Sequence, residues 1–440
     1  MIGLATLLAA CTIGGVPAQC GTVTVPENRA LSNGPTISLS VAVLPATVPS
    51  ARRADPVFYV TGGPGGASTE SLPAIAALWG DVNAHRDVVF VDQRGVGGSN
   101  PLQCALASME GSVPDLVAAC LGQVHADVAH YRTTDAMDDL DAVRQALGYG
   151  TINLWGGSYG ATAVQVYLRR HPETVRTAML DGVTLLDIPV FERWASSGQR
   201  ALMLLDKRCS ADRGCRKAFP HWYARLLPML RKLEAKPVTA AGLTIDAGLA
   251  GGTIHEMTAS TEGAAQVPYV LARAEEGSFA PLARAVRGYD DSANSAIAVM
   301  PVEIMCTEPW AARDPAKVAE DAAGTYLRYT EPKSAGQWQA VCAAWPHPDT
   351  AGEDWSRVHS ATPTLVLEGG GDPKDPPQNA AGVTDAMPNS RVVLVPGGGH
   401  GVSNIGCVPV LLDRFLERGT ARGLDTSCAK LTPLTAFRLR

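Results

Sequence analysis

The sequence has no block of basic residues. Its 37 lysines and arginines are outnumbered by 43 aspartates and glutamates, for a formal net charge of −6 at pH 7. That balance supplies no positive stripe for a phosphate backbone, so nucleic acid is excluded as a partner. No stretch reaches the ~18–20 consecutive apolar residues that a membrane span needs, which excludes a transmembrane helix. No two cysteines stand in C-x-x-C spacing, and none has a histidine cluster beside it. A zinc site is therefore not expected, and no other metal. The one glycine-rich loop of note, Gly62-Gly63-Pro64-Gly65-Gly66, is followed by no Lys-Ser or Lys-Thr and lacks the spacing of a dinucleotide turn. No nucleotide cofactor is implied, and no cofactor of any kind is expected. Internal repeats and low-complexity tracts are absent.

What is present is a 440-residue chain, long enough for one large catalytic domain with a sizeable insertion. It carries ten cysteines, at 11, 20, 104, 120, 209, 215, 306, 342, 407 and 428. Taken in order they form five local pairs. An even number in local spacing points to disulfides and to an oxidising compartment, secreted or in the cell envelope. Spacing alone leaves the connectivity open. Residues 1–10 read as a signal segment, with an apolar run from Ile2 to Ala10, although no Lys or Arg precedes it. Leu8-Ala9-Ala10-Cys11 has the form of a lipobox. Either Cys11 is lipidated, which would give the only membrane contact expected, or it pairs with Cys20.

The following residues alternate strands and helices. Gly21 to Pro26 and Thr36 to Leu44 read as an antiparallel pair at a sheet edge. Pro56 to Val60 is a buried strand that runs into the glycine loop, and Asp87 to Val91 is another, followed by Asp92-Gln93-Arg94-Gly95. A helix is expected from Thr134, as its cap, to Leu147. Thr151 to Trp155 and Thr177 to Leu180 are further strands. This rhythm predicts an α/β fold: a mostly parallel central sheet with helices on both faces. The first part of that core is expected over residues 11–182. The rhythm breaks over residues 183–360, where helical patterns dominate and six of the eight tryptophans lie, so a mainly helical cap insertion is expected there. Residues 361–440 restore the strand rhythm and complete the core, with a helix near Asn379 to Met387, a strand Arg391 to Val395 and a helix Val408 to Arg418.

Three loops carry the chemistry. Gly156-Gly157-Ser158-Tyr159-Gly160 is a G-x-S-x-G pattern between a strand and a helix. That context lifts a serine hydroxyl off the sheet on a strained turn and aims the N–H of Tyr159 at the same point. A serine hydroxyl needs a base to take its proton, and the base needs an orienting acid. Asp372, in Gly369-Gly370-Gly371-Asp372-Pro373, and His400, in Gly397-Gly398-Gly399-His400-Gly401, each follow a strand. Of nine histidines only His400 follows a strand and sits among glycines. Asp375 is the alternative acid. The order Ser158, Asp372, His400 is the order this motif class requires. The glycine loop at 62–66 would add the second oxyanion donor, the N–H of Gly63. A non-catalytic binding module would lack one of the three groups, and none is missing.

Together, Gly62-Gly63-Pro64-Gly65-Gly66, Asp92-Gln93-Arg94-Gly95 with Gly98-Ser99, and Gly156-Gly157-Ser158-Tyr159-Gly160 resemble the α/β-hydrolase serine aminopeptidases. These are the prolyl iminopeptidases and, closer, the secreted tripeptidyl-aminopeptidase-like proteins of bacteria. The resemblance extends from Cys20 to about Cys428, and Tyr159 replaces the tryptophan of prolyl iminopeptidases. It implies the α/β-hydrolase fold and release of short peptides or amino acids from a free N-terminus through an acyl-enzyme. A carboxylesterase or lipase of the same fold is the alternative, because triad and oxyanion hole serve esters equally well. An exopeptidase must pair its substrate's ammonium with a carboxylate. Glu308, in Cys306-Thr307-Glu308-Pro309-Trp310, is the candidate, with Glu303 and Glu262 next; a solvated surface Glu308 is the competing reading.

Overall fold

A computed structural model describes residues 8–105, 111–290, 296–350 and 352–440. Its centre is a nine-stranded sheet: β1 Ala9–Ile13, β2 Val16–Pro26, β3 Thr36–Leu44, β4 Val57–Val60, β5 Val88–Val91, β6 Ile152–Gly157, β7 Val175–Asp181, β8 Thr364–Gly369 and β9 Ser390–Val395. The spatial order is β1-β2-β3-β5-β4-β6-β7-β8-β9. The first three strands are antiparallel, and every pair from β5 to β9 is parallel. The parallel strands β4, β5 and β8 are buried throughout, as sheets covered on both faces require. The strand order reverses beside β4, between β5 and β6. Open α/β sheets leave a crevice at such a point, outside the carboxyl ends of the strands.

Two helices that matter for the site cover one face: α1 Thr133–Ala146 and α2 Tyr159–Arg170. Residues Tyr159 to Leu168 of α2 are all buried, so its apolar surface runs around the whole helix. The expected cap of α1 is corrected. Thr133 and not Thr134 opens the helix, and its orphan N–H is accepted by the distant Glu308 carboxylate at 2.7 Å. The stretch expected as one helix near Asn379 to Met387 is a 3₁₀ turn, Pro377–Ala380, and a short helix, Val383–Ala386. Gly382, at φ +81°, separates them.

Beyond β7 the chain is mainly helical up to β8. Its helices include α3 Trp194–Ala211 and α4 Ala247–Thr258. This stretch packs in two parts. Side chains from Ala195 to Leu327, joined by Phe437, form a core of their own. Val299, Met300, Ile304, Trp310 and Trp345 instead join the core on the α1–α2 face of the sheet. The opposite face is covered by α5 Val408–Arg418 and by the helices at Leu72–Leu78 and Gly80–His85.

All ten cysteines are paired, as 11–20, 104–120, 209–215, 306–342 and 407–428. Cys11 and Cys20 join β1 to β2, so the Cys11 sulfur is engaged in a disulfide and the lipidated alternative is not what the structure holds. Most of the expected signal segment lies outside the described residues; Ala9 and Ala10 are part of β1. No helix among the described residues is long and apolar enough to cross a membrane.

Candidate active site

Ser158 stands between β6 and α2 with φ 55° and ψ −127°, a region L-residues rarely enter. The strain is held by close backbone packing on both sides. A Cβ on Gly156 would lie 2.2 Å from the Gly160 carbonyl oxygen, and one on Gly160 would lie 2.1 Å from that of Val60. No side chain fits at either place. The N–H of Ser158 donates to the Asp181 carbonyl at 2.9 Å, which fixes the turn to the end of β7. Tyr159 is the first residue of α2, so its N–H has no carbonyl of its own helix to bond.

The loop after β4 lies against this turn. A Cβ on Gly62 would sit 2.9 Å from Ser158 Cβ and 3.5 Å from its Oγ. Gly63 takes φ +125°, accessible to glycine almost alone. Ser158, Gly62, Gly63, Tyr159 and His400 all line one cavity of about 380 Å³. Val190, Phe191, Trp194 and Trp310 give it an apolar wall, and Lys374 and Asp375 are its other ionisable lining groups. A larger cavity of about 650 Å³, around Phe219, Trp222 and Met229 in the insertion, contains neither serine nor histidine.

His400 is held from four sides. Its Nδ1 lies 2.9 Å from Asp372 Oδ2 and 3.7 Å from Asp375 Oδ2. Its backbone N–H donates to the Ala259 carbonyl at 2.7 Å. Two and three residues on, the N–H groups of Val402 and Ser403 both donate to the Asp181 carboxylate at 2.8 Å. Asp372 is fully buried, and its Oδ1 accepts the N–H groups of Lys374 and Asp375 at 2.8 and 3.0 Å. Of the two candidate acids it is therefore Asp372 that is hydrogen-bonded to the imidazole. Asp375 turns its Oδ1 to the Thr184 hydroxyl. Burial alone would lower the His400 pKa, but the charge of Asp372 and its hydrogen bond outweigh it and leave the imidazole above its ordinary value. A neutral imidazole that donates its Nδ1–H to Asp372 has Nε2 left to accept a proton, and the raised pKa makes it a stronger base there.

Glu308 is neither a surface residue nor a cavity residue. It is 3% exposed, and its oxygens accept from the Thr133 N–H at 2.7 Å, the Thr133 hydroxyl at 2.8 Å and Trp310 Nε1 at 2.7 Å. It stands behind the wall, bonded to Trp310 directly and to Tyr159 through the Thr133 hydroxyl, which is 2.9 Å from the Tyr159 hydroxyl. Burial pushes its pKa up to about 8, against the hydrogen bonds from Trp310 and Thr133. Glu303 is fully buried, with Trp345 Nε1 donating to it, and Glu262 bonds the Thr435 hydroxyl away from the cavity.

The Asp92-Gln93-Arg94-Gly95 stretch serves as scaffold. Arg94 is fully buried, forms a fork with Asp139 at 2.7 Å on both arms, and donates to the Glu27 and His130 carbonyls. Asp92 accepts the N–H groups of Thr69 and Gly98, and Gln93 accepts the Tyr159 hydroxyl. Sequence reasoning passed over Asp181, Phe191, Trp194 and Arg200. Asp181-Gly182 at a strand end was the one signal for the first; the others look like ordinary helical residues.

A family described as alpha/beta hydrolase fold matches residues 55–207, the stretch that holds the 62–66 loop and Ser158. The chain has the α/β-hydrolase fold. A second family, described as TAP-like protein, matches residues 331–428, which hold Asp372 and His400. Among curated relatives is the tripeptidyl aminopeptidase of Streptomyces coelicolor, 31% identical over 190 residues, which take in 38% of this chain and 35% of the relative. The proline iminopeptidase of Neisseria gonorrhoeae is 34% identical over 131 residues, 30% of this chain and 33% of the relative. Serine protease Hip1 of Mycobacterium tuberculosis is 27% identical over 224 residues, 45% of this chain and 42% of the relative. The matched stretches thus span about a third to two fifths of these relatives' length. Among solved structures, a proline iminopeptidase from Mycobacterium smegmatis aligns with a TM-score of 0.42 at 18% identity, over 90% of this chain and 98% of that one.

Proposed function

We propose that the protein is a serine hydrolase of the peptidase type, acting on short peptides with a free N-terminus. The observation that carries this reading is the shared cavity. A strained Ser158, a His400 bonded to a buried Asp372, and the Gly62–Gly63 backbone all meet there. In this mechanism Ser158 Oγ attacks the scissile carbonyl while His400 Nε2 takes its proton. Asp372 holds the imidazole in the required tautomer and balances the imidazolium. The N–H groups of Gly63 and Tyr159 receive the oxyanion. His400 then returns the proton to the leaving amine, and water hydrolyses the acyl-enzyme by the same steps. The names of the relatives support peptides over simple esters as substrates. Of the carboxylates considered, Asp375 is the one that lines the cavity, so it is the partner for the substrate ammonium, with Glu308 supporting the wall behind it. Residues 183–360 act as the cap over the site. The five disulfides support a location outside the cytoplasm.

The test is a panel of aminoacyl-, dipeptidyl- and tripeptidyl-aryl amides beside p-nitrophenyl esters. Turnover of free-amine amides is expected, with Ser158→Ala lowering kcat by about 10⁴-fold or more. Asp375→Asn should lower kcat/KM for free-amine substrates by on the order of thirtyfold relative to their N-acetylated forms. Ester turnover with no amide turnover from any free-amine substrate would make the protein a carboxylesterase. Phosphonate labelling that persists in Ser158→Ala would remove Ser158 from the site.

A further inference from the structure

The loops that carry Asp372 and His400 are runs of glycine, and they touch each other backbone to backbone. A Cβ on Gly369 would lie 1.9 Å from the Gly399 carbonyl oxygen, and one on Gly370 would lie 2.1 Å from that of Pro396. Gly371 N–H donates to the Gly398 carbonyl at 2.8 Å. Such loops pack closely, but glycine loses the most conformational freedom on folding, so their positions need external restraint. Much of that restraint comes from the helical insertion. Arg200, on α3, donates from Nη1 to the Gly370 carbonyl at 2.7 Å and from Nη2 to the Asp372 carbonyl at 2.8 Å. The Ala259 carbonyl, just past α4, takes the His400 N–H at 2.7 Å. Glu256 of α4 pairs with Lys374 Nζ at 2.8 Å, two residues from Asp372.

The two helices are locked together where this grip is made. Gly198 of α3 faces His255 of α4; a Cβ there would meet His255 Nδ1 at 2.6 Å and the Tyr326 hydroxyl at 2.8 Å. The same α3 begins with Trp194, part of the cavity wall. Arg200 Nε is enclosed without a hydrogen-bond partner, while each Nη donates to the acid loop. Two carbonyls two residues apart suit the planar fork of arginine, whereas a lysine ammonium offers a single point.

We infer that Arg200 is a positioning residue of the catalytic triad, and that the insertion braces the loops of Asp372 and His400 as well as covering the cavity. The inference rests on the serine-hydrolase reading above. Arg200 touches no substrate atom; it acts by holding the Asp372 main chain, and through it the imidazole. The same holds for any acyl substrate, including one too small to reach the aromatic wall.

Arg200→Met and Arg200→Lys, assayed on p-nitrophenyl acetate and on an aminoacyl-aryl amide, test this. Ser158→Ala runs in parallel, and urea unfolding reports the stability of each variant. In Arg200→Met, kcat is expected to fall about tenfold or more on both substrates with KM within about threefold, since a small misplacement of a catalytic group costs one to two decades. The rate of phosphonate labelling of Ser158 should fall in step, and Arg200→Lys should recover part of the loss. Arg200→Met with unchanged kcat and native stability would overturn the inference, as would a rise in KM alone. If Arg200→Met does not fold, Arg200→Lys decides: undiminished kcat refutes the brace. Turnover surviving in Ser158→Ala would instead defeat the serine-hydrolase reading, so the two failures are distinguishable.

Discussion

Asp181→Asn is a sharp perturbation because one residue holds two catalytic loops by different groups. The Asp181 main-chain carbonyl takes the Ser158 N–H, and its two carboxylate oxygens take the N–H groups of Val402 and Ser403. It is 1% exposed, so water cannot replace a lost acceptor. Asparagine keeps the volume and the main-chain contact but turns an NH₂ toward one of the two donors. That buried N–H is left unsatisfied, at a cost of about 1–3 kcal/mol. The loop that carries Val402 and Ser403 also carries His400, so the imidazole should shift relative to Ser158. A displacement of about 1 Å at a reacting group costs on the order of 10²-fold. Urea unfolding should therefore show a loss of about 1–3 kcal/mol, and steady-state kinetics a fall in kcat of one to two decades with KM little changed. Asp181→Asn with native stability and native kcat would refute the reasoning, because it would mean that the His400 loop holds itself in place.

Stability should fall as the pH rises from 5 to 9. Burial raises Glu308 to about 8, and Glu303 and Glu331 to about 7, all above the ordinary 4.5. Each carboxyl therefore binds its proton more tightly when folded. Its contribution is fully present below the unfolded value and is lost as pH climbs through 7 to 8. Glu308→Gln should flatten part of that slope in urea titrations taken at each pH; an identical slope would rule Glu308 out as a source. Reduction of the disulfides should lower the unfolding free energy most at Cys306–Cys342, which closes 36 residues and is worth about 4 kcal/mol in the chain-entropy model, against about 2 kcal/mol for the 6-residue separation of Cys209–Cys215. Cys306→Ser with Cys342→Ser, compared with the 209/215 double variant by thermal melting, checks the ranking.

The parts of this molecule that were legible in the sequence are those set by local rules. Alternation and buried runs placed the strands from β2 onward, because side chains in a strand point to opposite faces and parallel strands are covered on both; β1, Ala9–Ile13, was instead read largely as part of a signal segment. The glycines around Ser158 marked the turn, because Gly156 and Gly160 leave no room for a Cβ. Strand ends followed by glycine runs drew attention to Asp372 and His400 for the same local reason. Even the five cysteine pairs were visible as neighbours along the chain.

What only the tertiary structure decided depends on direction and burial. Asp372 and Asp375 are three residues apart and equally acidic in sequence; the turn of the loop puts one at 2.9 Å and the other at 3.7 Å from the imidazole. Glu308 reads as a carboxylate near a tryptophan, and a free ammonium could have been its partner. The fold instead surrounds it with Thr133 and Trp310, whose donors occupy both its oxygens. Arg200 reads as one charge on an amphipathic helix, and nothing local ties it to a loop 170 residues away. Such pairings are made when distant elements pack, and a buried polar group takes whichever partner the packing brings within reach.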